Sequence, residues 1–337
     1  MKRMPYTPRA LRLFALLALL LVGVLSLAGV ASASADVARV RPPRNVIISA
    51  SMDGVSTSAV HIWTAEELRA AKPYPILEAR GSGRPTAAAP KPTGPTGSIP
   101  WQAPQGQPTT RTDGGVSIQS TTLSPPYTSF PASANGRLFF TQNGISYSCS
   151  ASMIKDHSIW TAGHCVHAGN NSANGWSTNM TFIPQYYNGS APLGQCSVYN
   201  IWTHMDWYTN GNPNGLDHDY AGGAIGCSVV GSTGKYGFAW NWPYPQQVKA
   251  LGYPADPPFT GQSLVQCDSS FYRFDIGTPR TYGIVCDMTG GSSGGPWGVS
   301  TYYLNGNTSY GYLNDAVHLY SPYFDGDAKL LWDILPD

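Results

Sequence analysis

From Gly136 onward short β-prone runs alternate with clusters of turn residues. The runs are Ser146 to Ser152, Ser158 to Thr161, Met180 to Pro184, Cys196 to Trp202, Gly222 to Val230, Gln247 to Tyr253, Gly283 to Asp287 and Tyr310 to Leu319. Short β-prone runs spaced between turn clusters read as strands. The dipeptides Asn143-Gly144, Asn188-Gly189, Asn210-Gly211, Asn214-Gly215 and Asn305-Gly306 are turn signals of the kind that join such strands. Helical patterning is sparse. Thr64-Ala65-Glu66-Glu67 reads as a capping box opening a short helix that Pro73 ends, and Asp327 to Leu335 is the best late helix. The pattern predicts an all-β barrel or sandwich, with no internal repeat.

The N-terminal third follows other rules. Met1 to Arg12 carries Lys2, Arg3, Arg9 and Arg12 without an acid, Leu13 to Val30 is almost wholly apolar, and small-x-small sites follow to Ala35. This is the layout of a secretory signal peptide over residues 1–35; a retained membrane anchor competes, and the alanine-rich end favours cleavage. Residues 36–120 are expected to be a propeptide and linker of low order. From about Glu78 to Pro108, Gly, Pro, Ala and Thr dominate, and such a stretch cannot bury enough apolar surface to offset its ordering entropy. Arg80, Arg84 and Arg111 lie in or beside it, so the mature protein is expected to begin between Gly81 and Asn135. Residues 121–337 form the folded domain.

Composition narrows the function classes. Charged residues are 12% of the chain, against about 25% in ordinary globular proteins, and the net charge is +1. Neither nucleic acid nor an anionic membrane is a natural partner for such a chain. The 6 cysteines all lie downstream of Ser148, and an even count after an export signal implies disulfides and an extracellular location. No two of them are spaced for a structural zinc site, and no metal or cofactor is expected.

Two stretches carry candidate chemistry. Gly290-Gly291-Ser292-Ser293-Gly294-Gly295-Pro296 places hydroxyls among glycines, whose backbone can turn tightly and aim N–H groups at one point. Ile159-Trp160-Thr161-Ala162-Gly163-His164-Cys165 leads a strand-like run through small residues to an imidazole, a base able to activate a serine. Ser292 rivals Ser293, and His167 rivals His164.

Taken in order, these stretches resemble the chymotrypsin-like serine peptidases. Thr161-Ala162-Gly163-His164-Cys165 is similar to the family's histidine motif, Asp217-His218-Asp219-Tyr220-Ala221 to its aspartate motif, and Gly291 to Pro296 to its serine motif. The likeness covers about Gly136 to the C-terminus and leans toward the secreted bacterial branch near the glutamyl endopeptidases. It implies two six-stranded antiparallel β-barrels with a short C-terminal helix, acting as a secreted endopeptidase on protein or peptide substrates; the low-order segment before an exported peptidase is expected to be a propeptide that keeps it a zymogen, and the protein is expected to be a monomer. By the same resemblance Ser293 is the nucleophile, His164 the general base, Asp219 its orienting acid with Asp217 as rival, and the N–H groups of Gly291 and Ser293 the oxyanion hole. It also implies Cys149–Cys165; Cys196–Cys227 and Cys267–Cys286 follow as nearest neighbours in sequence. Ser292 stands where the pancreatic enzymes have an aspartate, so an ion pair from a new N-terminus to that position is not expected. Substrate selection is left open between Asp287, which suits a basic side chain, and His318, which suits an acidic one, with broad selection a third reading. A serine esterase is disfavoured because His164 precedes Ser293, and a catalytically silent binding protein because no triad residue is lost.

Overall fold

In the computed structural model, which describes residues 46–51, 61–79, 94–107, 120–275 and 280–337, the strands Asn135–Gln142 and Ile145–Lys155 pair antiparallel across Asn143-Gly144. Both turn residues have positive φ, 52° and 76°, which matches the right-handed twist of the strands they join. The expected signal peptide, and Arg80, Arg84 and Arg111 of the linker, lie outside the described residues.

The hairpin belongs to a closed six-stranded antiparallel barrel. Its strands run in the order Cys196–His204, Ala221–Ile225, Ser158–Thr161, Ile145–Lys155, Asn135–Gln142 and Thr178–Pro184, and the last pairs back to the first. Leu138, Phe140, Met153, Trp160, Phe182 and Ile201 fill its interior. A second sheet follows the path Tyr310–Tyr312, Asp315–Pro322, Thr281–Val285, Val265–Phe274, Gln247–Gly252, Pro296–Val299 and Tyr303–Asn307. Tyr303–Asn307 and Tyr310–Tyr312 are successive pieces of one stretch, so this path also returns to its start. Its core includes Val248, Tyr282, Ile284 and Trp297. The C-terminal helix Gly326–Ile334, capped by the Asp325 side chain on the Asp327 N–H at 2.9 Å, buries Ala328 and Leu331 against the first barrel.

The structure departs from the sequence pattern in places. Gly222 to Val230 ends as a strand at Ile225, and Tyr310 to Leu319 is two strands rather than one. Asn305-Gly306 is no turn: both residues lie in the strand Tyr303–Asn307, where buried Asn305 donates to the Ala239 carbonyl at 2.7 Å and accepts from the Tyr244 hydroxyl at 2.8 Å. Asn210-Gly211 falls inside the helical stretch Met205–Asn214, which kinks where Gly211 takes φ 48°.

Within 36–120, the segment expected to lack order, the described residues pack onto the barrels. Ile47–Ser51 extends the first barrel beside Cys196–His204, and Gly97–Ile99 pairs with Gly237–Trp240. The helix Ala65–Ala70 has the capping box expected from Thr64 and Glu67. Trp63 and Leu68, at 3% and 1% exposure, join Phe139, Ile183 and Tyr186 in a third apolar cluster. Few but large apolar side chains suffice here because the barrel surface supplies the rest of the core. No helix among the described residues is long and apolar enough to cross a membrane.

Candidate active site

His164, Asp219 and Ser293 arrive from three separate elements. His164 sits in the single turn Gly163–Val166 that follows the strand Ser158–Thr161. Asp219 ends the turn Leu216–His218 and precedes the strand Ala221–Ile225, which pairs directly with Ser158–Thr161. That pairing brings the two residues together: His164 Nδ1 lies 2.7 Å from Asp219 Oδ2, and the His164 backbone N–H donates to Asp219 Oδ1 at 2.8 Å. Both side chains are buried. The carboxylate also accepts from the Ser309 hydroxyl, and Asn307 Nδ2 donates to the Asp219 carbonyl at 3.1 Å. A fully buried carboxylate with three donors on its two oxygens is fixed in place.

Ser293 comes from the second sheet, in the loop before Pro296–Val299. Gly291 and Gly294 have φ of 91° and 78°, in the region that favours glycine. A Cβ on Gly294 would lie 2.1 Å from Thr161 Oγ1 and 2.5 Å from the Ser150 carbonyl, so this glycine lets the serine loop touch the first barrel. The loop is tied down there, since the Ser150 N–H donates to the Ser293 carbonyl at 2.8 Å and the Ser150 hydroxyl to the Gly291 carbonyl at 2.9 Å. Ser293 Oγ and His164 Nε2 are buried and make no hydrogen bond among the described residues.

The rivals are occupied elsewhere. Ser292 Oγ donates to the Thr289 carbonyl at 2.7 Å. His167 Nδ1 accepts from the Gly169 N–H and its Nε2 lies 2.9 Å from the Ser172 carbonyl; burial pulls its pKa down, as suits a neutral structural ring. Asp217 Oδ1 lies 2.9 Å from Nδ1 of His218, not of His164. Of the two residues weighed for substrate selection, His318 lines a cavity of about 300 Å³ beside the serine loop, walled by Met288, Thr289, Gly290 and Leu319. Its Nδ1 is 2.6 Å from Asp315 Oδ1, and its ring stacks on Tyr272 at 3.8 Å. Asp287 is not among the lining residues; its carboxylate accepts the Ser120 N–H at 3.1 Å.

Sequence reasoning missed Ser150, Asn307 and Ser309, which no local pattern marks. It also missed the segment Lys72 to Ala79, which lies across the site. The Gly291 N–H donates to the Tyr74 carbonyl at 2.8 Å, and the Tyr74 ring packs on the His164 ring at 5.2 Å.

The cysteines pair as Cys149–Cys165, Cys196–Cys227 and Cys267–Cys286, the first pinning the histidine turn to the adjacent strand. His204, Asp206 and His218 bring ligand-type atoms within reach of one cation. Their Nδ1 atoms are otherwise engaged, His204 with the Asp206 N–H and His218 with Asp217. Burial alone would lower the His218 pKa, but the hydrogen bond to Asp217 and the Asp327 carboxylate 3.7 Å from Nε2 outweigh it and raise it to about 9. The group is a bracketed imidazolium and a poor metal ligand.

No protein-family profile matches the chain. The Bacillus subtilis (strain 168) protein named "Extracellular metalloprotease" is 24% identical over 151 residues, and the match spans 44% of this chain but only 45% of that protein. Among solved structures, the protease Anisep from Arthrobacter nicotinovorans is 32% identical, with 63% of this chain and 97% of that one covered and a TM-score of 0.56. The thermostable serine protease AL20 from an extremophilic microorganism is 32% identical, with 60% and 95% covered and a TM-score of 0.55. A Glu endopeptidase, 19% identical with 64% and 94% covered and a TM-score of 0.53, shares the fold. With two barrels, a histidine–aspartate pair buried between them and homologues that match over nearly their whole length, this chain belongs to the serine proteases of the chymotrypsin-like fold.

Proposed function

We propose that the protein is a secreted serine endopeptidase that cleaves protein substrates through an acyl-enzyme on Ser293. The observation that carries this reading is the buried 2.7 Å contact between His164 Nδ1 and Asp219 Oδ2, which leaves His164 Nε2 as the only ring nitrogen able to serve a nucleophile. His164 takes the Ser293 proton as Oγ attacks the peptide carbonyl, then gives it to the departing amine; Asp219 holds the ring in the correct tautomer and stabilises its charged form. The Gly291 N–H, already donating to a carbonyl oxygen, and the Ser293 N–H face the oxygen that becomes negative. The substrate side chain next to the scissile bond enters the cavity that His318 lines. Secretion fits the three disulfides and the N-terminal sequence.

Ser293→Ala tests the reading. In the processed enzyme it is expected to reduce peptide hydrolysis on the order of a millionfold and to abolish covalent labelling by an organophosphonate. An alanine variant that kept most of the activity would assign the chemistry to another residue.

A further inference from the structure

The segment Lys72 to Ala79 crosses the site from the first barrel to the second. Lys72 and Pro73 pair parallel with Tyr147 and Ser148, and the Tyr74 N–H donates to the Ser148 carbonyl at 2.9 Å. Beyond the catalytic residues, Leu77 and Glu78 pair parallel with Tyr310 and Gly311, and the Ala79 N–H donates to the Gly311 carbonyl at 3.0 Å. Between these anchors, Pro75 and Ile76 line the cavity that holds His318, with Ile76 packed against the core around Met288. Tyr74 covers the histidine ring, and its hydroxyl donates at 2.8 Å to Gln142, whose amide reaches the His164 carbonyl at 3.3 Å.

Proton transfer dictates the direction in which a cleavable chain must lie. The departing amine takes its proton from His164, so the part of a substrate after the scissile bond lies on the side of that imidazole. Ser148 marks this side, because Cys149 next to it is bonded to Cys165 next to His164. The acyl part therefore lies along Tyr310 and Gly311, and a substrate runs from Gly311 toward Ser148. Lys72 to Ala79 runs from Ser148 toward Gly311. Its Tyr74 carbonyl sits on the Gly291 N–H as a scissile carbonyl would, but the nitrogen that would have to leave is that of Pro75, which continues with Ile76 along the cavity toward Gly311, the acyl side of the site. An adduct formed by Ser293 at this carbonyl has no proton donor at its leaving nitrogen and can only revert.

We infer that residues 72–79 are a built-in inhibitor that fills the substrate cleft with reversed chain polarity, so that the enzyme is blocked without cutting its own plug. The inference rests on the triad reading above. The helix Ala65–Ala70 anchors the plug: Leu68 is buried, and the Leu68 and Ala71 carbonyls accept from the Arg137 guanidinium at 3.4 and 3.5 Å. A cut in the Gly/Pro-rich stretch after Ala79 therefore leaves the plug seated, and activity requires its later removal.

The test is the rate at which an organophosphonate labels Ser293 in the uncut full chain. Wild type is expected to label slowly and Tyr74→Ala about tenfold faster or more, from loss of the ring packing and the hydroxyl bond. Ser293→Ala is the blank. Equal rates in wild type and Tyr74→Ala overturn the inhibitory role; absence of labelling in every form, the processed enzyme included, removes the triad reading instead. Pro75→Ala tests polarity, because it replaces the proline bond by an ordinary peptide bond. The reversed segment is expected to stay intact between residues 74 and 75, and a fragment ending at Tyr74, seen by mass spectrometry, would show that it binds as a substrate does.

Discussion

At the scale of single residues, the proposed mechanism gives charge holding to Asp219 and charge transfer to His164. Asp219 is buried and accepts from the His164 N–H, the His164 ring and Ser309, so each of its oxygens has a partner before any substrate arrives. Asp219→Asn keeps the shape but sets an NH₂ or a neutral oxygen against Nδ1, which favours the wrong imidazole tautomer. The expected loss in kcat is on the order of ten thousandfold with little change in KM, a separation that steady-state kinetics on the processed enzyme reads directly. A comparable loss carried by KM would make Asp219 a substrate-binding group.

At the scale of elements, the turn Leu216–His218 is locked to the C-terminal helix through one imidazole. His218 Nδ1 lies 2.9 Å from Asp217 and its Nε2 3.7 Å from Asp327, with Asp206 at 3.9 Å and the His204 ring stacked on it at 3.9 Å. Burial opposes the charged ring, the two carboxylates outweigh it, and Arg280 works against them; the result is a pKa of about 9. Asp327 is correspondingly lowered, first by the facing His218 imidazole. Because the folded value lies above the unfolded 6.5, the pair stabilises fully below pH 6.5 and its contribution fades as pH rises through about 9. The difference in urea-unfolding free energy between the Ser293→Ala protein and the same protein with His218→Gln is therefore expected to shrink by about 3 kcal/mol between pH 6 and 9.5. A constant difference would mean that His218 is neutral when folded.

At the scale of the whole molecule, the described residues 61–79 are part of the folded unit. Trp63 and Leu68 complete a cluster with barrel residues Phe139 and Ile183, and Tyr74 closes the cleft between the barrels. Leu68→Ala in the Ser293→Ala chain removes a buried side chain at 1% exposure and is expected to lower the melting temperature of the single main transition by about 5 °C. A separate early transition, with the main one unmoved, would show that the segment folds apart from the barrels.

Much of this architecture was legible in the order of residues. The β-prone runs, the Asn143-Gly144 turn, the Thr64 capping box and the late helix depend on contacts between near neighbours, and local pattern carries such contacts. The histidine and aspartate motifs contain His164 and Asp219, whose side chains lie 2.7 Å apart. Asp219 is preferred to Asp217 from the sequence already; the pairing of Ala221–Ile225 with Ser158–Thr161 is what sets Asp219 on His164 and leaves Asp217 on His218. Ser309, 90 residues beyond Asp219, carries no local mark of its contact. The same holds for Asn305-Gly306, a turn by composition but a buried strand by its partners Ala239 and Tyr244. The polarity of Lys72 to Ala79 across the cleft was beyond any reading of the chain alone. Direction relative to a distant strand is a property of how the backbone is laid in space, and no periodicity records it.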